Sequence, residues 1–302
     1  MSGGTVRRHR HGGTHGGARD SARQDGAWQD DTRQDGAWQG GAWQGGAWQG
    51  GAEGGLRELY EDPATPVASG PDRAFRQAAV LSRALGPVPS TVLDIGCGDG
   101  TAAAAAATAL ARHRIVGVDW SQDALRRAAE HLSAVRGELS APGLPFATGA
   151  ADAVLFSEVI EHLVDPDAAL EELHRVLRPG GHLLLSTPNL AAWYNRLLLL
   201  CGTQPVFSEV SLRGIHGRPG SQVVGHLRLY TARALRSLLP AAGFHVVRIT
   251  GAPYHDVPRP FRPLDRAACH TPSLASILLV HARAVPRRER GPRADPAPRK
   301  GS

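Results

Sequence analysis

The chain has 302 residues, 34 Lys/Arg against 28 Asp/Glu, and three cysteines. A chain of this length can bury a full core without disulfide or metal staples, and Cys97, Cys201 and Cys269 lie too far apart to suggest a zinc site or a disulfide framework. The net charge of +6 comes almost entirely from the end of the chain: the last 22 residues hold seven basic and two acidic side chains. The body is close to neutral, which argues against a nucleic-acid partner.

Residues 1–60 are Gly-rich and repetitive. Arg23 to Gln29 recurs at Arg33 to Gln39, and the unit then shortens to Gly-Gly-Ala-Trp-Gln at 40–44 and 45–49. Such short units cannot bury a core, so a disordered tail is expected, with Trp28, Trp38, Trp43 and Trp48 available to a partner. His9, His11 and His15 could bind metal adventitiously. The start has no apolar run of the signal-peptide kind, and no stretch is long enough to span a bilayer, so a cytoplasmic location is expected. Residues 61–285 read as one globular domain, and 286–302 as a second disordered, Pro/Arg-rich tail.

Within the globular part the elements alternate. Helices are expected over Arg73–Leu85, Thr101–Arg112, Ser121–Leu132, Asp167–Leu177 and Ala232–Ala241. Strands are expected over Thr91–Ile95, Ile115–Val118, Ser133–Arg136, Ala153–Phe156, His182–Ser186, Phe244–Ile249 and Ile277–Ala282. Strands alternating with helices define an α/β fold with a doubly wound, mostly parallel sheet. No helix is expected between the last two strands, which makes that pair antiparallel.

The chemistry concentrates at strand ends. Asp94-Ile95-Gly96-Cys97-Gly98-Asp99-Gly100 follows the first strand, where a doubly wound sheet binds its ligand. The spacing is G-x-G-x-G, and the position a nicotinamide fingerprint needs for its third glycine is Thr101. Asp119 ends the second strand, where a carboxylate can accept both ribose hydroxyls or simply cap a helix. Trp120 offers a flat face to a purine, or packs as an ordinary aromatic. Glu138 follows the third strand, where it either accepts from an adenine amino group or is a solvated surface acid.

These motifs resemble class I S-adenosylmethionine-dependent methyltransferases. The resemblance rests on Val92 to Gly100 and Gly117-Val118-Asp119, then Gly143 to Phe146, Phe156 to Leu163 and Leu177 to Gly181. Ser186 to Asn189 and Gly225 to Arg228 resemble the branch containing ubiquinone-biosynthesis O-methyltransferases. The resemblance implies a Rossmann-like seven-stranded sheet in the order 3-2-1-4-5-7-6 with strand seven antiparallel. It implies S-adenosylmethionine as cofactor, with Asp94, Gly96, Gly98 and Gly100 at the methionine moiety, Asp119 at the ribose and Trp120 at the adenine. Glu138 stands where the family commonly has Asp, and Ser157 would contribute near the methionine end through its backbone.

The expected reaction is methylation of a small-molecule acceptor, oxygen favoured over nitrogen or carbon. His162 is the first candidate base, with His216, His226 and Tyr230 behind it; otherwise His162 caps or packs. Glu158 and Glu161 either orient a neighbour or are solvated, and no acidic cluster has metal-ligand spacing. Residues 189–230 interrupt the α/β rhythm. Their apolar stretch, Ala192 to Leu200, is either a core-packed helix or a lid recognising an apolar or aromatic acceptor and touching a membrane surface. The alternative function is a catalytically silent cofactor-binding protein whose Trp repeat recruits a partner.

Overall fold

The computed structural model describes residues 71–139, 143–220 and 223–286. The Trp repeat, the early histidines and the basic end of the chain lie outside the described residues.

Helix α1 (Pro71–Leu85) leads into β1 (Thr91–Ile95), α2 (Thr101–Ala107), β2 (Arg114–Asp119), α3 (Gln122–Ala128) and β3 (Ser133–Arg136). Then come β4 (Ala151–Ser157), a 3₁₀ turn (Ile160–His162), α4 (Pro166–Val176) and the long β5 (Leu177–Pro188). The last part holds α5 (Trp193–Leu200), α6 (Ala232–Ala241), β6 (Phe244–Ala252), a 3₁₀ turn (Arg259–Phe261), α7 (Arg262–Ala268) and β7 (Ile277–Ala284). The seven strands form one sheet in the order β3-β2-β1-β4-β5-β7-β6. β7 runs antiparallel to both neighbours, and the strands from β3 to β5 are parallel. This is the α/β, Rossmann-like sheet expected from the sequence.

Alternation along the strands builds a core on each face. Leu93, Ile95, Val154, Phe156, Leu183 and Leu185 meet Leu170 and Leu173 of α4 and Leu235 and Leu239 of α6. Val92, Ala153, Leu155 and Leu184 face the other way, against Ala78 and Leu81 of α1 and Ala106 and Leu110. Each fully buried Leu contributes about 1.5–3 kcal/mol relative to exposure. The central strands are therefore apolar throughout rather than alternating.

Several expected boundaries move. The second helix ends at Ala107 instead of Arg112, because the Leu110 amide is shared between the Ala106 and Ala107 carbonyls and the chain tightens to bury Leu110. The third closes at Ala128 instead of Leu132. Leu132 leaves the helix to pack against Gly100 and Gly117, where an added Cβ would come within 2.7 and 2.8 Å of it. β5 starts at Leu177, since the Arg178–Gly181 turn is absorbed as an irregularity in its pairing with β4 between Ala151 and Ala153. A short helix, α7, does lie between β6 and β7, contrary to expectation; prolines at 258, 260 and 263 hide its pattern.

The buried carboxylate of Asp265 makes α7 structural. It accepts from Trp193 Nε1 (3.1 Å), the Tyr254 amide (3.0 Å) and the Ser276 hydroxyl, joining α5 to the segments that follow β6 and precede β7. Gly251 in β6 sits under the same segment, where an added Cβ would stand 2.4 Å from Ala275 Cβ and 2.5 Å from the Cys269 carbonyl oxygen. Gly251→Ala is therefore expected to destabilise the fold by about 2 kcal/mol, a fall of roughly 6 °C in melting temperature. Gly214→Ala, whose Cβ meets only the His216 ring at 3.5 Å, is expected to leave it unchanged. Thermal melts of the two variants check this.

α5 is not a core helix. Only Asn195 is buried, while Leu197, Leu199 and Leu200 are 54%, 56% and 83% exposed. Asn195 staples the following loop, donating to the Asn189 carbonyl (3.2 Å) and accepting from the Val206 amide (2.8 Å). Among the described residues no helix is long and apolar enough to cross a membrane. All three cysteines are free, Cys97 buried and Cys201 exposed.

Candidate functional site

β1, β2 and β4 end side by side at Ile95, Asp119 and Ser157, the edge where a doubly wound sheet takes its ligand. The turn after β1 is drawn in tightly. The amides of Gly96 and Cys97 donate to the Val118 carbonyl (2.8 and 3.1 Å), and the Gly98 amide donates to Asp119 Oδ2 (2.9 Å). Gly96, Gly98 and Gly100 have φ of +75°, +54° and +79°, a region that disfavours side chains. A Cβ on Gly96 would also stand 2.5 Å from Val159 Cγ2. These glycines are demanded by the turn itself.

Asp119 has two structural bonds. Its Oδ1 accepts from the Ser121 amide (2.9 Å), while the Ser121 hydroxyl caps α3 by accepting from the Ala124 amide (3.2 Å). The helix-cap and ligand-edge readings of Asp119 therefore coexist: its carboxylate organises the glycine turn and α3 together. Asp94 and Asp119 are both buried. Burial, with the Asp119 charge added, pushes the Asp94 carboxyl up to about 7, and burial raises that of Asp119. A cation at this edge would relieve both. Trp120 and Glu138 are half-buried. They follow Asp119 of β2 and Arg136 of β3, which pair directly, and the Trp120 carbonyl accepts from Arg136 Nε (3.2 Å).

Ser157 is engaged through its side chain: Ser157 Oγ donates to Gln77 Oε1 (2.9 Å) on α1. Beside it, Arg73 of α1 pairs with Glu158 (3.1 Å). α1 thus covers the end of β4. Arg73 Nε, Gln77 Nε2 and Glu158 Oε1 are buried there with no hydrogen-bond partner, so polar atoms converge on this corner.

His162 belongs to a second cluster. Its Nδ1 bonds the Gly225 carbonyl (3.0 Å) and its Nε2 lies 4.0 Å from Glu161 Oε1. His226 repeats the arrangement, with Nδ1 on the Phe207 carbonyl (3.2 Å) and Nε2 4.0 Å from the same Oε1. The two rings stand 4.7 Å apart. Burial lowers the His162 imidazole to about 4; burial and the neighbouring His162 lower that of His226 to about 3. Glu161 is neither solvated nor peripheral: it is fully buried, its carboxyl raised by burial and by Glu158. Its Oε2 accepts from Thr187 Oγ1 (3.0 Å).

Glu209 organises the loop that carries His226. Its carboxylate accepts from the Val224, Gly225 and His226 amides (2.6, 2.8 and 3.0 Å) and pairs with Arg218 (3.0 Å). Among the described residues the non-glycines with positive φ are Glu158 (+56°) and Phe207 (+70°). Phe207 supplies the carbonyl that holds His226, and its ring contacts those of His226 and Tyr254 at 5.5 and 4.9 Å. Glu209, Gln77, Arg73 and Phe207 escaped sequence reasoning. None carries a local motif, and each gains its role only through tertiary contact.

This sheet, with a glycine turn and a carboxylate closing the next strand, defines a nucleoside-cofactor-binding protein of the methyltransferase class. Residues 72–249, more than half of the chain, match the family described as a methyltransferase domain, and the chain belongs to that family. It is 36% identical over 136 residues to a ubiquinone/menaquinone biosynthesis C-methyltransferase of Syntrophotalea carbinolica, covering 41% of this chain and 57% of that protein. It is 40% identical over 116 residues to a malonyl-[acyl-carrier protein] O-methyltransferase of Herminiimonas arsenicoxydans, covering 36% and 42%. The chain spans about half the length of the curated relatives it matches. A SAM-dependent methyltransferase structure from Methanosarcina mazei shares the fold, with TM-score 0.51 and 18% identity over 69% of this chain and 98% of that one.

The cofactor of this class is S-adenosylmethionine, and the residues fit it. Gly96 and Gly100 have no room for side chains, and the two buried carboxylates suit a cationic amino acid moiety and ribose hydroxyls.

Proposed function

We propose that the chain is an S-adenosylmethionine-dependent methyltransferase that methylates a hydroxyl of a small aromatic or apolar acceptor. Asp94 and the turn Gly96–Gly100 hold the methionine moiety, Asp119 the ribose, and Trp120 and Glu138 the adenine, with Ser157 at the methionine end. The observation that carries the reading is the separation of two halves. Carboxylates and glycines occupy the ends of β1 and β2, and the Glu161–His162–His226 cluster follows the end of β4.

Bound S-adenosylmethionine supplies a methyl on a sulfonium, already activated for displacement. The protein's work is alignment of the acceptor and removal of its proton. His162, pinned through Nδ1 by the Gly225 carbonyl, presents Nε2 as the atom that takes this proton. Phe207, Tyr254 and the Trp193–Tyr194 pair, whose rings are 5.5 Å apart, supply aromatic surface for the acceptor. The O-methyltransferase relative supports transfer to oxygen, and the C-methyltransferase relative keeps transfer to carbon as the second reading.

Incubation with methyl-labelled cofactor and a panel of phenols and catechols is expected to give a methoxy product, identified by the carbon-13 shift of the transferred methyl. A methyl on carbon would replace the first reading by the second. Cofactor binding without turnover on any acceptor would favour the silent binding module.

A further inference from the structure

We propose that Glu209 is a positioning residue for the reaction, holding His162 in its orientation through the Gly225–His226 peptide unit. The proposal deepens the reading above and rests on it only for the role of His162 as proton acceptor.

The connection runs through a single plane. The amide joining Gly225 to His226 donates its N–H to Glu209 Oε2 (3.0 Å), and its carbonyl, that of Gly225, accepts from His162 Nδ1 (3.0 Å). A trans peptide unit is rigid, with its N–H and C=O on opposite sides. A rotation of the plane that breaks one of these bonds therefore breaks the other. A carbonyl oxygen only accepts, so the bond to Gly225 requires the Nδ1–H form of the neutral ring and puts the lone pair on Nε2. Hydrogen bonds in series polarise one another, and a carboxylate on the N–H makes the carbonyl a better acceptor. Glu209 thus acts on the imidazole across the peptide, as an orienting group acts on a base in direct contact.

The Glu209 carboxylate has four donors. Besides the His226 amide, Oε2 takes the Gly225 amide (2.8 Å), while Oε1 takes the Val224 amide (2.6 Å) and the Arg218 guanidinium (3.0 Å). Successive amides converging on one anion form a nest, here filled by the chain's own carboxylate. The Glu209 and Arg218 side chains are 1% and 4% exposed. A buried ion pair is weak evidence of stabilisation; what this one determines is where the backbone of 224–226 stands. The next two amides, of Leu227 and Arg228, donate to the Glu161 carbonyl (2.8 and 3.1 Å). The same backbone is therefore fastened to the turn that bears His162. The second ring is served too, since the Phe207 carbonyl, two residues before Glu209, holds His226 Nδ1 (3.2 Å).

The test compares Glu209→Gln and Glu209→Asp with wild type in the full chain. Turned one way, the glutamine N–H₂ meets the Gly225 and His226 amides; turned the other, it meets the Val224 amide and Arg218. Nitrogen-15 spectra of the imidazoles report the tautomer, with the His162 signal assigned by its loss in His162→Gln. Wild type is expected to show His162 as Nδ1–H alone, and Glu209→Gln to show a mixture of both tautomers. With catechol as the probe acceptor, kcat is expected to fall by about 10–100-fold in Glu209→Gln, part of the roughly 10²–10⁴-fold that a placed base supplies. KM for catechol and affinity for S-adenosylhomocysteine should stay close to wild type. Glu209→Asp, which keeps the charge, should recover part of the rate. Unchanged tautomer and kcat in Glu209→Gln would overturn the proposal, as would Nε2–H on His162 in the wild type. So would a joint loss of kcat, KM and S-adenosylhomocysteine binding in both variants, the mark of a loop that has only come apart. If the tautomer shifts as expected while the wild type methylates no acceptor, the link from Glu209 to His162 stands and the methyltransferase reading fails.

Discussion

Asp119→Ala is expected to weaken S-adenosylmethionine binding by at least about 100-fold while the sheet stays folded. The Asp119 carboxylate accepts from the Gly98 and Ser121 amides, so its loss leaves two buried N–H groups without partners. Each such group costs about 1–3 kcal/mol. The middle glycine of the turn is then free to leave the geometry that cradles the cofactor, and the ribose loses its acceptor. A combined loss near 3 kcal/mol corresponds to roughly 100-fold in affinity. Asp119→Asn keeps the shape but presents an N–H₂ group to one of the two amides, so an intermediate loss is expected. Calorimetric titration checks both variants, with far-UV circular dichroism as the control for folding. Wild-type affinity in the alanine variant would place the cofactor elsewhere.

Cofactor affinity is also expected to depend steeply on pH between 5 and 7. Burial and the Asp119 charge hold the free Asp94 carboxyl up at about 7, against 3.8 for the free side chain. The other titratable neighbour, the Cys97 thiol, stays neutral because burial, Asp94 and Asp119 all raise it. A ligand carrying an ammonium group selects ionised Asp94. Affinity therefore rises by about tenfold per pH unit up to about 7 and then levels off. The stability of the free protein moves oppositely. The folded state binds Asp94's proton more tightly than the unfolded chain, so this group's contribution falls as pH rises from about 4 to 7. Binding near pH 6 should release a proton, visible as a buffer-dependent heat, and Asp94→Asn should flatten the profile. An affinity that is flat between pH 5 and 7 in the wild type would contradict the assignment.

What the sequence revealed follows from locality. Parallel strands buried on both faces read as short continuous apolar runs, so β1, β2 and β4 were legible with the glycine turn attached. Ser133–Arg136 and Ala232–Ala241 fall where the pattern placed them. Boundaries shifted where a single side chain redirected the backbone, as Leu110 and Leu132 do, or where prolines masked a helix, as at α7. Asp94, the three glycines and Asp119 share one short stretch of chain. The Glu161–His162 cluster does not: His226 reaches it from far along the sequence, and Glu209 acts through three backbone amides and the Arg218 guanidinium. Glu161 read as either an orienting or a solvated acid, because nothing in its immediate sequence signals complete burial.

Titration of the full chain with S-adenosylmethionine by calorimetry, with NADH as comparator, tests the central claim most directly. Saturable, micromolar binding of S-adenosylmethionine alone is the expected result, and the Asp119→Ala variant should lose it. A folded sample that takes up no S-adenosylmethionine, or that prefers NADH, would contradict the account.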